Sequence, residues 1–506
     1  MTPYKRYWLT LSILLIASAL NAAVPSPKGT RPNIVIIYGD DMGYGDLAIQ
    51  NPDSKIPTPY LDQLAREGMR FTDGHSSSGV CTPSRYALLT GRHHWRKFHG
   101  FAGSFAKPFF DDEELTLPEM LKEKGYTTAC IGKWHLGFDW QAIMKPGKNT
   151  PKNRENPPAS DFDWSLKVPG GPTTHGFDYY FGDGTPNFPP YGWMENDKMV
   201  VAPTISYVPV PKPLEGSAEC RPGPGVEGWR LDEVMPKLTE KAVEWIGLQK
   251  EADKPFFLYF PWTSPHAPIV PAKEFIGKSQ AGPFGDYVVQ SDWSAGQVLQ
   301  ALKDNGFEDN TVVIFTTDNG AEKYMMARLS TYNHNSSGSF RGMKREIYEG
   351  GHHVPFIVKW PGVTKPGSVT DAITSQVDIM ATIARAIGYD LPAGQGEDGF
   401  DMMPVLKGEK PFVRNTLVMN TKPRQYGIRQ GEWLLLLDPI ESFDGKKDSD
   451  EYRAATGFTR IEEKQALFNL KDDIGQRKNL IGQYPEKAQQ LEKLLKQVQE
   501  TGYPRM

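Results

Sequence analysis

Five short, predominantly apolar runs recur along the chain, at residues 33–38, 127–133, 255–260, 311–316 and 354–360. Runs of this length without strict alternation suit strands covered on both faces, the condition of a parallel sheet between helix layers. Helical signals fill the intervals. Thr58 and Pro59 are placed to cap and begin a helix carrying Leu61, Leu64 and Ala65, with Gly68 to stop it. Residues 231–248 and 286–303 have helical apolar spacing, and 376–387 sets Val377, Met380, Ile383 and Ala384 on one face. The alternation predicts an α/β fold: a large, mixed but mostly parallel sheet sandwiched by helices.

Single cores stop growing at about 250–300 residues, so a chain of 506 needs two domains or one large decorated domain. The rhythm breaks twice. Residues 139–228 are rich in Pro, Gly, Asn and aromatics. A loop region this long reads as the walls of a substrate pocket, with an ordered structural insertion as the bland alternative. After about residue 405, the stretches 415–420, 427–429 and 433–437 look like strands of a small antiparallel sheet. A last helix over 485–500 carries Leu491, Leu494, Leu495 and Val498 on one face. The expected organisation is a targeting segment at 1–23, a main domain at 31–404 and a C-terminal α+β subdomain at 405–506. Lys5 and Arg6, an apolar run over 9–20 and small residues at Ala22 and Ala23 form the three-part pattern of an export signal. The run is shorter than the roughly 20 residues of a membrane anchor, and no later segment is long and apolar enough to span. The protein is therefore expected in the periplasm or secreted. A net charge of −4 gives no reason to expect nucleic acid as a partner.

Three groups of residues carry chemistry. Asp40 and Asp41 follow the first apolar run, and Asp318 and Asn319 follow the fourth. Ligands of open parallel sheets bind at the carboxyl ends of strands. Adjacent carboxylates there repel unless a cation holds them, and calcium takes about six to eight oxygen ligands. Either pair alone is also a solvated turn; together they point to a hard-cation site. Only three cysteines are present, Cys81, Cys130 and Cys220. Cys130 reads as a buried small residue, and a bond to Cys220 is left open. Cys81 precedes Thr82, Pro83, Ser84 and Arg85, with Thr82 suited to cap a helix and Pro83 to begin it. Position 81 then sits at a helix N-terminus, where backbone N–H groups favour an anion. A reactive thiol is the plain reading.

Cys81-Thr82-Pro83-Ser84-Arg85 with Leu89-Thr90-Gly91-Arg92 resembles the signature of the type I, formylglycine-dependent sulfatases, members of the alkaline phosphatase superfamily. Further segments resemble that family in the same order: Asp40-Asp41-Met42-Gly43, Gly132-Lys133-Trp134-His135, Ser264-Pro265-His266-Ala267-Pro268, Asp318-Asn319-Gly320, and Lys344 ahead of Glu349-Gly350-Gly351. Ile428-Arg429-Gln430 and Leu467-Phe468-Asn469-Leu470 resemble its C-terminal subdomain. The resemblance implies that a maturation enzyme converts Cys81 to a formylglycine aldehyde. It implies one calcium held by Asp40, Asp41, residue 81, Asp318 and Asn319. Arg85, Lys133, His135, His266 and Lys344 are then the remaining catalytic residues, and a sulfate monoester, expected to be on a carbohydrate, is the substrate.

In that scheme the aldehyde is hydrated, one hydroxyl attacks sulfur, His266 protonates the leaving alcohol, and the second hydroxyl expels sulfate with help from His135. A phosphodiesterase or phosphonate hydrolase on the same fold is the rival enzyme, and a non-catalytic binder of sulfated glycans is the rival outside enzymes. Lys344 is the weakest correspondence, since Lys323 and Arg345 offer the same charge. Arg92 and His93 are placed to order the site or touch substrate. Trp140, Tyr179, Tyr180, Phe181, Tyr191 and Trp193 either stack on sugar rings or pack the loops. One departure is clear: His353 stands where the family commonly has an arginine, after Glu-Gly-Gly. That puts a local ion pair in doubt.

Overall fold

A computed structural model describes residues 31–150, 155–208, 215–216, 219–439 and 447–505. The export-signal expectation at 1–23 lies outside the described residues. The main sheet contains β1 (Asn33–Gly39), β2 (Met69–Phe71), β3 (Thr127–Lys133), β4 (Tyr179–Gly184), β5 (Met194–Glu195), β6 (Lys198–Met199), β7 (Phe256–Pro261), β8 (Thr311–Thr317), β9 (Phe356–Lys359) and β10 (Ser368–Thr370). Their order across the sheet is β10-β2-β9-β8-β1-β7-β3-β4-β5-β6. The central strands β8-β1-β7-β3-β4 are parallel. The run at 354–360 supplies the mixed character: β9 lies antiparallel to β8 and to β2, so the parallel block ends there.

Central strands feed two cores. Ile34, Ile36 and Tyr38 of β1 point to one side, and Val35 and Ile37 to the other, all buried. The first side is covered by α2 (Cys81–Thr90), α3 (Leu117–Glu123) and α6 (Asp378–Ile387). The second is covered by α1 (Pro59–Glu67), α4 (Val234–Leu248) and α5 (Gly282–Asp304). The apolar run without alternation is the signature of this two-sided burial. The start of α1 departs from the expected Thr58 cap. Thr58 Oγ1 donates to Asp62 Oδ1 instead, and the Asp292 carboxylate of α5 accepts from the backbone N–H of Tyr60 and Leu61.

A second sheet, β11 (Thr416–Lys422), β12 (Gln425–Gln430), β13 (Trp433–Leu437) and β14 (Gln465–Asn469), is antiparallel throughout. Leu435 and Leu467 face α7 (Pro485–Thr501) through Leu491, Leu495 and Val498. Leu434, Leu436 and Phe468 face Ile347 and Tyr348 of the main body. Period-two alternation therefore gives this sheet two buried faces, one toward its own helix and one toward the larger body. Among the described residues no helix is long and apolar enough to cross a membrane.

Candidate active site at the carboxyl ends of the central strands

The site forms where β1, β3, β7 and β8 end side by side. Two glycines allow the close approach. A Cβ on Gly39 would meet Thr317 Cγ2 at 2.8 Å, and one on Gly132, whose φ is 133°, would meet Pro261 O at 1.9 Å. Beyond β1, Asp41 takes a left-handed φ of 64° and turns its carboxylate inward.

Cys81 is the first residue of α2 and is 2% exposed. Its Sγ lies 3.8 Å from Asp40 Oδ1 and 4.0 Å from Asp41 Oδ1. The expected Thr82 cap is not formed, because the helix starts two residues earlier, after Val80. Thr82 Oγ1 instead donates to His135 O at 2.9 Å and accepts from Ala102 N, fastening the helix tip to the segment after β3.

Buried cations meet the carboxylates. Arg85 donates to Asp318 Oδ2 through Nε at 3.1 Å and Nη2 at 2.8 Å, and to Lys133 O at 3.0 Å. Lys133 Nζ is 2.6 Å from Asp40 Oδ2, and Lys344 Nζ is 2.7 Å from Asp41 Oδ1. Lys344 is thus the lysine of the site, while Lys323 pairs with Glu219 and Arg345 with Glu322. Burial works to raise Asp40, but Lys133, His266 and Arg85 hold its carboxyl well below the usual range. For the unmodified Cys81 thiol, burial and then Asp318 push the pKa far above normal.

His266 Nδ1 donates to Ala267 O, which leaves Nε2 facing the site, 3.6 Å from Asp41 Oδ2. Lys133 and His135 have separate partners, Asp40 for the lysine and Ala102 O for the histidine. Strand β3 ends at Lys133, and His135 turns with a φ of 54° so that Nε2 donates to Ala102 O. Its Nδ1 is buried and unpartnered beside a cavity lined also by Trp140, Asp183 and Phe188.

Asp40, Asp41, Cys81 and His266 present ligand atoms within 4.8 Å of one another. Asn319 donates to Asp41 Oδ1 at 2.7 Å, while its own Oδ1 is buried with no hydrogen-bond partner. An orphaned amide oxygen beside a carboxylate cluster fits an oxygen-seeking divalent cation such as calcium.

Other residues fall elsewhere. Arg92 pairs with Glu397, and His93 Nε2 meets Tyr503 Oη, so only His93 ties the segment after α2 to the C-terminal residues. Phe181 stacks on Trp193 at 4.9 Å, and Tyr180 and Tyr191 are buried, so loop packing accounts for them. Trp140 alone of the six loop aromatics lines the cavity. Sequence reasoning missed Asp183 and Phe188, which sit in loop-rich sequence with no motif around them. Cys130 and Cys220 are both free thiols, so no bond joins them.

His353 fills the position by hydrogen bonding: Nδ1 lies 2.8 Å from Glu349 Oε2 and Nε2 2.8 Å from Thr72 O, two acceptors that a guanidinium could also reach. Burial pushes Glu349 up, but His353, with His75 and His352, brings it down to about 2. A carboxyl lowered by folding adds stability above its unfolded pKa, roughly 4.3, and loses it as pH falls toward the folded value. His353→Gln is expected to cost about 3 kcal/mol, because it strands a buried carboxylate. His353→Arg should stay near wild type; urea midpoints at neutral pH measure both.

The comparisons agree with this geometry. The family description "Sulfatase" matches residues 32–389. The chain is 31% identical over 504 residues to an N-acetylgalactosamine-6-O-sulfatase of Bacteroides thetaiotaomicron, covering 92% of this chain and 93% of that protein. It is 32% identical over 495 residues to human arylsulfatase A, covering 96% and 90%. A solved structure from work on glycosaminoglycan metabolism by Bacteroides thetaiotaomicron superposes with a TM-score of 0.77 at 30% identity, over 93% of this chain and 99% of that one. The phosphonate monoester hydrolase of Agrobacterium radiobacter shares the fold, with a TM-score of 0.58 at 18% identity over 92% and 95%. With the order of its motifs kept in space and relatives matched along almost its whole length, the chain belongs to the sulfatase family of sulfuric ester hydrolases, in the alkaline phosphatase superfamily.

Proposed function

We propose that this protein hydrolyses sulfate monoesters on carbohydrates, with residue 81 converted to formylglycine and one calcium ion held by Asp40, Asp41, residue 81, Asp318 and Asn319. The observation that carries the reading is the convergence of Cys81 with those carboxylates and with Arg85, Lys133, His266 and Lys344 in one buried cluster. The carbohydrate substrate rests on the relative that acts on N-acetylgalactosamine 6-sulfate. We also assign residues 31–404 to catalysis and 405–506 to a supporting subdomain, and place the protein outside the cytoplasm on its N-terminal pattern.

Bound calcium supplies a fixed positive charge for the sulfate oxygens. The hydrated aldehyde supplies two hydroxyls on one carbon, one to attack sulfur and one to expel sulfate. Lys133 and Lys344, pinned by Asp40 and Asp41, keep positive charge where an anionic ester must approach. Arg85 fixes Asp318 and the helix tip. His266 Nε2 hands a proton to the leaving oxygen, and His135 assists departure of sulfate. Removing His266 should hurt poor leaving groups most: His266→Ala is expected to slow an alkyl sulfate about a hundredfold or more, and an activated aryl sulfate much less. Equal losses on both esters would remove His266 from the leaving-group step.

Mass spectrometry of peptide 71–85 from protein made in its natural host tests the central claim. An aldehyde oxygen in place of sulfur supports it, and unmodified cysteine overturns it. Comparing matched aryl sulfate and aryl phosphate separates the sulfatase from the phosphonate-hydrolase reading.

A further inference from the structure

The cavity beside His135 contains a carboxyl that no step above uses. Asp183 lies near the end of β4, and the next residue, Gly184, pairs in register with Lys133 of β3. Its side chain is buried, and neither carboxyl oxygen has a hydrogen-bond partner. An unpaired buried carboxyl is expensive, and such groups persist where a ligand completes them. His135 Nδ1 shares the wall and is also unpartnered; because Nε2 donates to Ala102 O, Nδ1 presents a lone pair. The Ser104 hydroxyl, likewise unpartnered, completes the polar lining, and Trp140 and Phe188 supply apolar wall.

The unpartnered groups are thus rich in acceptors, and the nearby Arg221 guanidinium is stacked on Phe188, 4.5 Å from its ring centroid. A second sulfate or a uronate carboxylate has no hydrogen to offer the oxygens of Asp183 or the lone pair of His135. A neutral sugar edge offers hydroxyl or amide N–H donors that match. We propose that this cavity is the subsite for the uncharged, hydroxyl-bearing edge of the sugar that carries the ester, and that Asp183 accepts its hydrogen bonds. Asp183 is then a specificity residue. The inference rests on the sulfatase reading and narrows its substrate to neutral sugars at that edge.

The test compares full-length converted protein with Asp183→Asn on three substrates: a hexose monosulfate, its analogue lacking the hydroxyl next to the ester, and an aryl sulfate. For wild type, loss of the hydroxyl should lower kcat/KM by at least about tenfold, since a site built to bind a hydroxyl rejects the analogue without it. In Asp183→Asn the ratio of sugar to aryl kcat/KM should fall by about tenfold, and the analogue should lose little more. An unchanged ratio overturns the proposal, as does a wild-type preference for a disulfated sugar with its second anion at that edge. If the variant does not fold, the wild-type substrate series decides alone. Absence of sulfate release from every ester, with residue 81 verified as converted, would instead overturn the sulfatase reading itself.

Discussion

Cys81→Ser protein is expected to turn over at least about a thousandfold more slowly than wild type, roughly 4 kcal/mol in transition-state terms. The reason is the second hydroxyl. Serine can attack sulfur once, at the same helix tip and under the same cations. The ester it forms has no neighbouring hydroxyl on the same carbon to push sulfate out, and must wait for water in a buried site. A single release of alcohol without sulfate, and a protein heavier by one sulfuryl group, are the expected readouts. Continuous sulfate release by the serine variant would sink the two-hydroxyl mechanism. An alanine variant serves as the control that forms no ester at all.

Removing divalent metal has the second large effect. Chelator-treated protein should lose activity by about a thousandfold, because a resident divalent charge contributes several kcal/mol to such a transition state. Calcium should restore it. The thermal midpoint should move with activity: a ligand at a hundredfold excess over its Kd stabilises the folded state by about 2.7 kcal/mol. Lys133 and Lys344 already pair with Asp40 and Asp41, so metal-free protein should stay folded rather than unravel. Full activity after exhaustive chelation, verified by metal analysis, would contradict a calcium enzyme.

The sequence made the parallel core legible because two-sided burial leaves unbroken apolar runs, as in β1 and β8. It left the direction of the run at 354–360 open, since an antiparallel strand buried on both faces reads the same as a parallel one. The clustering of Asp40, Asp41 and Cys81 was legible because the aspartates follow a strand and the cysteine opens a helix within short motifs. Helix starts were less so. Thr58 and Thr82 both look like caps, yet Thr58 bonds Asp62 while distant Asp292 takes the helix's first N–H groups, and Thr82 bonds the His135 segment. Asp183 was invisible for a related reason: its meaning comes from lacking a partner, and a partner's absence is a property of packing alone.

Timing follows from where residue 81 and its anchors lie. Asp73, eight residues upstream in the same segment, is gripped by Arg429 of β12 through two contacts of 2.7 and 2.6 Å. That grip forms only after residue 429 has been synthesised. Until then the cysteine's stretch of chain lacks that clasp. An enzyme that converts Cys81, as proposed, would have its access before the last sheet docks and the thiol is buried, and a mutation that hastens docking should lower the converted fraction.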